Sequence, residues 1–222
     1  DGRSYYYVNP QKRYHKLSPS LGALYWLNSN FALFGNYSKS IESPTGWELQ
    51  PDGKDIPPQT GKGYEYGMKF ELLDGKITGQ ALAFHVTKKN DSTKYDGPIL
   101  KAWATEYAPH LLTTVPTGDF DDLGNQELEI KLNSAGNYIA DTIVDSKGFE
   151  TDLYYNPDNK MSFFLGYAYL DAEIQNSPKL DGATEGILDG DPYPGFAHHN
   201  AVFTARYTFR EGLLKGCYAG LS

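Results

Sequence analysis

Residues able to do chemistry are scattered thinly along this 222-residue chain. The densest group is "DFDDLGNQELE" at 119–129, which gathers Asp119, Asp121, Asp122, Glu127 and Glu129 around one glycine. Such a stretch could chelate Ca²⁺, but an EF-hand loop needs an oxygen ligand at its fifth position and Glu at its twelfth. Those positions are Leu123 and Ile130, so the stretch reads as a solvated acidic loop. His198 and His199 are neighbours, and on a strand neighbours point to opposite faces. They cannot grip one metal ion together. His85 and His110 have no partner close in sequence. A Gly-x-Ser-x-Gly elbow, a zinc-hydrolase helix and a phosphate-cradling glycine loop are all absent. The expectation is no enzyme, no metal site and no cofactor.

What remains is ligand recognition by side chains in connecting segments, since loops on a rigid scaffold host binding. Trp47, Trp103, Tyr107 and Tyr193 could stack on a ligand, and Lys88 and Lys101 could meet an anionic one. Lys89, Lys94 and Arg13 extend that basic set. For each of them the plainer reading is loop packing or contact with lipid headgroups.

The elements that must carry these loops show a period of two. In "GYEYGMKFELLDGKITGQALAFHV" (63–86), Tyr64, Tyr66, Met68, Phe70 and Leu72 alternate with Glu65, Gly67, Lys69 and Glu71. After Asp74-Gly75-Lys76 the alternation resumes, with Leu82, Phe84 and Val86 against Gly79, Ala81, Ala83 and His85. That is a hairpin of two half-buried strands. The pattern recurs in 20–27, 31–40, 148–155, 161–174 and 201–209, and "GCYAGLS" begins a further strand. Short connections (28–30, 74–76, 156–160, 210–216) alternate with long ones (42–62, 90–145, 175–196). No stretch shows a helical period. The expectation is an all-β, antiparallel up-and-down meander.

Composition narrows the environment. No apolar run approaches the roughly 18 residues of a spanning helix, and the mean hydropathy is −0.54. A barrel that crosses by alternating strands is compatible with both facts. The net charge of −8 without basic runs argues against nucleic acid. Cys217 is the one cysteine, so no internal disulfide exists. The chain opens on Asp1 without a leader-like segment, as a processed chain or an internal piece would.

Aromatic rings on one face and charges on the other fit a strand with hydrocarbon outside and water inside. On this reading Glu65, Lys69, Glu71, Glu150, Asp152 and Arg206 face a lumen, while Tyr66, Phe70 and Phe84 turn outward together. A half-exposed sheet in a soluble all-β binding module is the alternative, and it would bury Phe70 and Leu82 against a second sheet.

Three blocks carry a family likeness: "SPSLGALYWLNSNFALFGNYSKSIESPTG", "PPQTGKGYEYGMKFELLDGKITGQALAFHVTKKN" and "SKGFETDLYYNPDNKMSFFLGYAYLDAEI". With "FAHHNAVFTARYTF" and "GLLKG" in the same order, the chain resembles the distal barrel of TonB-dependent outer-membrane receptors. The resemblance implies a transmembrane β-barrel segment over 1–222, about eight or nine strands of a roughly 22-stranded barrel. It also implies short periplasmic turns, long extracellular loops, and a place in the cell outer membrane among its lipids. Such receptors import a scarce ligand, here expected to be a ferric siderophore or a similar chelate, with a vitamin, saccharide or peptide as the alternatives. They are energised by the TonB complex through a plug domain that this stretch does not contain. A passive porin-like barrel is the competing membrane reading.

Overall fold

The computed structural model describes residues 14–44, 49–94, 97–117, 127–132, 136–176 and 190–222. The strands are β1 (Ser20–Trp26), β2 (Phe31–Glu42), β3 (Gln59–Leu72), β4 (Ile77–Lys94), β5 (Leu112–Thr117), β6 (Glu127–Leu132), β7 (Tyr138–Tyr155), β8 (Met161–Asn176), β9 (His199–Thr208) and β10 (Tyr218–Leu221). One helix, α1 (Gly97–Tyr107), and a 3₁₀ turn (Pro109–Leu111) lie between β4 and β5.

Eight strands form one antiparallel sheet in the order β1-β2-β3-β4-β7-β8-β9-β10. β5 and β6 pair only with each other, as an excursion out of the meander. The expected all-β meander is therefore present, with a strand count in the expected range. The expected absence of helix was wrong. "GPILKAWATEY" has no charged residue in its first turn or basic residue in its last. Its helical state comes from packing instead: Leu100 is buried against Ile139 of β7, with Ile99 and Trp103 beside them. The connection between β4 and β7 is also shorter than the sequence implied, because β4 runs on to Lys94 and β7 starts at Tyr138.

Polar side chains at the short connections bind the backbone they turn. Asn28 Oδ1 accepts from the N–H groups of Asn30 and Phe31. Asp158 Oδ1 accepts from those of Lys160 and Met161, and these bonds hold its carboxyl below the usual range. Between β3 and β4, Leu73, Asp74 and Gly75 all have positive φ, at 54°, 54° and 82°.

That four-residue turn sets Leu72 opposite Ile77, so the even residues of β3 share a face with the odd residues of β4. Tyr66 lies opposite Ala83 and Phe70 opposite Gly79, whereas Phe84 lies opposite Glu65. The expectation that Phe84 sits with Tyr66 and Phe70 is corrected here. Alternation within a strand does not say which set of its neighbour shares its face; turn length does. Phe84 finds room on the charged side because Gly148 is bare: a Cβ there would stand 2.8 Å from the Phe84 ring.

Followed across the sheet, the registers separate two faces. The aromatic face carries Tyr25, Phe31, Leu33, Tyr37, Tyr64, Tyr66, Phe70, Phe149, Leu165, Tyr169, Phe203 and Tyr207. The other carries Glu65, Lys69, Glu71, Glu150, Asp152 and Arg206. From the short turns up to the row holding Tyr37, Tyr64, His85, Lys147 and Asp171, the aromatic face bears no Asp, Glu, Lys or Arg. No second sheet covers it among the described residues: Tyr66 is 65% exposed and Tyr25 71%. Buried apolar residues lie instead at the long-connection end: Ile56, Ile139, Val144, Ala172 and Ile174, with Ala104 and Ala108 of the α1 region.

Candidate functional site

Two regions gather polar and aromatic side chains, and the sheet places them at opposite ends of its strands. The first is on the charged face near the short turns. Trp26, Lys69, Glu71, Thr78, Gln80, Asp152 and Tyr154 line a hollow of about 400 Å³. Register explains the grouping, because Lys69, Gln80 and Asp152 are opposite one another on β3, β4 and β7. Gln80 Nε2 donates to Asp152 Oδ2 at 3.0 Å, and Lys69 Nζ lies 5.4 Å from the centre of the Phe34 ring. Two rows higher on the same face, Asn36 Nδ2 donates to Glu65 Oε2 at 3.2 Å. Hydrogen-bonded, water-facing groups of both signs would meet a polar occupant.

The second region is at the long-connection end. A bulge interrupts the β4–β7 ladder between Lys88 and Asp91, with Asn90 at φ 61° and its amide donating to Pro58 O. The bulge turns Asp91 inward, where it is 7% exposed. Its carboxylate takes Lys88 Nζ at 2.7 Å, Gln59 Nε2 at 3.2 Å and the Tyr193 hydroxyl at 2.9 Å. Three segments distant in sequence are thereby fastened at one carboxylate. Burial works to lower the Lys88 pKa, but the Asp91 carboxylate outweighs it and the net direction is up. Burial, then the bond to Asp91, raises the Tyr193 phenol.

Lys88 and Tyr193, chosen from sequence as separate ligand contacts, thus meet each other, with Lys88 Nζ 5.9 Å from the Tyr193 ring centre. Trp103 and Tyr107 also meet, one turn apart on α1 and stacked at 6.3 Å. Lys101 is on the same helix and half-buried, and its carbonyl accepts from Thr105 Oγ1. The Trp103 indole N–H is buried without an acceptor among the described residues. Trp47 and the acidic stretch 119–126 lie outside the described residues. Asp91 and Gln59 were missed from sequence; the only signal was Asn-Asp following two lysines, which reads equally well as an ordinary turn. No group of three or more His, Cys, Asp or Glu poised for a metal ion occurs among the described residues.

The family model described as "TonB dependent receptor-like, beta-barrel" matches residues 1–221. The chain belongs to this family. TonB-dependent receptors are transporters, not enzymes, and their place is the outer membrane. Among curated relatives, the metal-pseudopaline receptor CntO of Pseudomonas aeruginosa is 29% identical over 213 residues, 96% of this chain and 24% of the relative. The ferric-pyoverdine BN7/BN8 receptor of Pseudomonas putida is 27% identical over 87% of this chain and 21% of its own. The Pseudomonas aeruginosa FpvA structure bound to heterologous pyoverdines superposes with a TM-score of 0.60. It does so at 17% identity, over 96% of this chain and 23% of that one. The chain therefore spans about a quarter of the length of the relatives it matches.

Proposed function

We propose that this chain forms part of the barrel wall of an active outer-membrane transporter that takes up a ferric siderophore or a similar metal chelate. The observation that carries the barrel reading is the register: over eight strands it sends the charges named above to one face and leaves the other uncharged up to the row of Lys147 and Asp171. Opposite the lipid, Glu65, Lys69, Glu71, Glu150, Asp152 and Arg206 look into the lumen. On β3 itself that face is uncharged from Tyr64 to Leu72, about 27 Å along the strand. With a strand tilt of roughly 40° that approaches the roughly 25 Å apolar band of outer-membrane barrels. A soluble module would bury Phe70 and Leu82 under a second sheet, and neither is buried.

The substrate class rests on the relatives, whose names specify a metal-pseudopaline complex and ferric pyoverdine. Ligand contact is assigned to the long-connection end: the Trp103–Tyr107 stack and Lys101, and Lys88 with Tyr193 beside Asp91; Trp47 is proposed from the sequence alone. Energy comes from the TonB complex acting through a plug that pairs with the rest of the barrel, and strands beyond β1 and β10 close the wall, since unpaired edges are not viable in a bilayer. No catalytic step is assigned.

Uptake of radiolabelled iron and other transition metals, each as its siderophore or metallophore chelate, tests this. Deleting the gene that encodes the chain should reduce uptake of one chelate to background, and deleting tonB should do the same. Uptake that persists without TonB would leave the passive porin-like barrel as the correct reading.

A further inference from the structure

The aromatic face ends, on the long-connection side, in a belt of charged residues, and that belt is neutralised unevenly. On β7 and β8 it is self-compensating: Lys147 Nζ lies 3.4 Å from Asp171. On β4 and β7, His85 Nε2 lies 2.6 Å from Asp145, which also accepts from Thr87. The lysines of β2 to β4 are not paired in this way, because Asp145, across Thr87 in their row, is taken by His85 and Thr87. Lys39 is directly opposite Lys62, Thr87 follows on β4, and one row further out Ile41, Thr60 and Lys89 are in register. Opposed residues have Cβ atoms about 5 Å apart and diagonal ones about 7–8 Å. Three lysines thus cluster on one small patch of one face. All three are exposed, and that face of β2, β3 and β4 carries no carboxylate. Like charges set opposite each other destabilise a sheet unless a counter-charge lies between them.

Depth decides which counter-charge. Immediately beneath the lysines, the Tyr37 and Tyr64 rings are 5.1 Å apart, and Lys62 Nζ rides 5.0 Å from the centre of Tyr64. Below them the face is uncharged down to the turns. Amphipathic rings mark the level of lipid headgroups, so an anion between these lysines lies where lipid phosphates lie. We propose that Lys39, Lys62 and Lys89 bind the phosphate of an anionic lipid headgroup in the loop-side leaflet. This rests on the reading that the aromatic face meets lipid.

The test uses the intact receptor that carries this chain, reconstituted in phosphatidylcholine nanodiscs containing a minor fraction of phosphatidic acid with a photoreactive diazirine on an acyl chain close to the glycerol. Label should map to the upper parts of β2, β3 and β4. One lysine at a lipid surface is worth about fivefold in binding. Each single Lys→Gln variant should therefore lose about fivefold, and K39Q/K62Q/K89Q about a hundredfold, while the corresponding triple Arg variant retains labelling. Unchanged labelling in the triple Gln variant overturns the site, leaving three solvated lysines. Displacement by excess inorganic phosphate overturns the lipid as its source. A separate arm reports on the underlying reading. Tryptophan fluorescence of Y66W should be quenched by chain-brominated phosphatidylcholine, and no quenching there means that the aromatic face does not meet hydrocarbon.

Discussion

Asp91 shows how one carboxylate can organise loops that recognition depends on. Its partners come from the start of β3, from the bulge on β4 and from the segment that leads into β9. Removing the charge in Asp91→Asn leaves the Lys88 ammonium half-buried and unpaired, and a hydrogen bond to a charged group is worth about 1.5–3 kcal/mol. Screening at this partly exposed position brings the expected loss to about 1 kcal/mol or more, felt locally. Limited proteolysis should then cut near Tyr193 about fivefold faster; equal cutting would show that the loops are fastened elsewhere. The hub also has a direction in pH. Both Lys88 and Tyr193 hold their protons more tightly when folded, relative to ordinary values of 10.5 and 10.0. Their contribution is complete below those values and is lost as pH rises through the raised folded ones. Ultraviolet titration of tyrosinate should show one phenol ionising late, absent in Tyr193→Phe, and the loops should loosen only in strong alkali.

Among the elements, the β3–β4 turn has the widest consequence, because its length sets which side chains share a face. Leu73, Asp74 and Gly75 all adopt positive φ there, a region that costs an ordinary L-residue about 1–2 kcal/mol and glycine nothing. A Cβ at Gly75 would also press on Glu71, at 3.2 Å from its carboxylate oxygen. Gly75→Ala should therefore destabilise the barrel by about 1–2 kcal/mol, read as a lower midpoint of urea unfolding for the reconstituted receptor. An unchanged midpoint would mean that the turn relaxes to another type. α1 is the opposite case, a helix with weak local signals that forms because Leu100 and Ile139 need each other.

For the molecule as a whole, the separation of charge between the faces makes a quantitative claim. Met68 and Gln80 are both in mid-strand but on opposite faces. An Arg at the bilayer midplane on the lipid face costs about 2–4 kcal/mol, so Met68→Arg should lower unfolding stability in vesicles by that amount. Gln80→Arg faces Asp152 and should change it by less than about 0.5 kcal/mol. Equal penalties would contradict the assignment of the faces.

The strands were legible in the sequence because a period of two is a local property: "YEYGMKFEL" alternates whatever surrounds it. The two faces of each strand, the short turns and the family likeness followed from that same local order. Three features needed the tertiary structure. The seating of Phe84 on the charged face depends on how many residues turn the corner at 73–76 and on the bare Gly148 directly opposite it on β7. α1 depends on burial against β7, a contact with no signature in eleven residues of its own. The joining of Lys88, Gln59 and Tyr193 at Asp91 depends on a bulge that aims one carboxylate across 102 residues of chain. Alternation is written in neighbours, whereas parity between strands, helix burial and a shared ion-pair partner are relations between distant segments, and only packing brings those together.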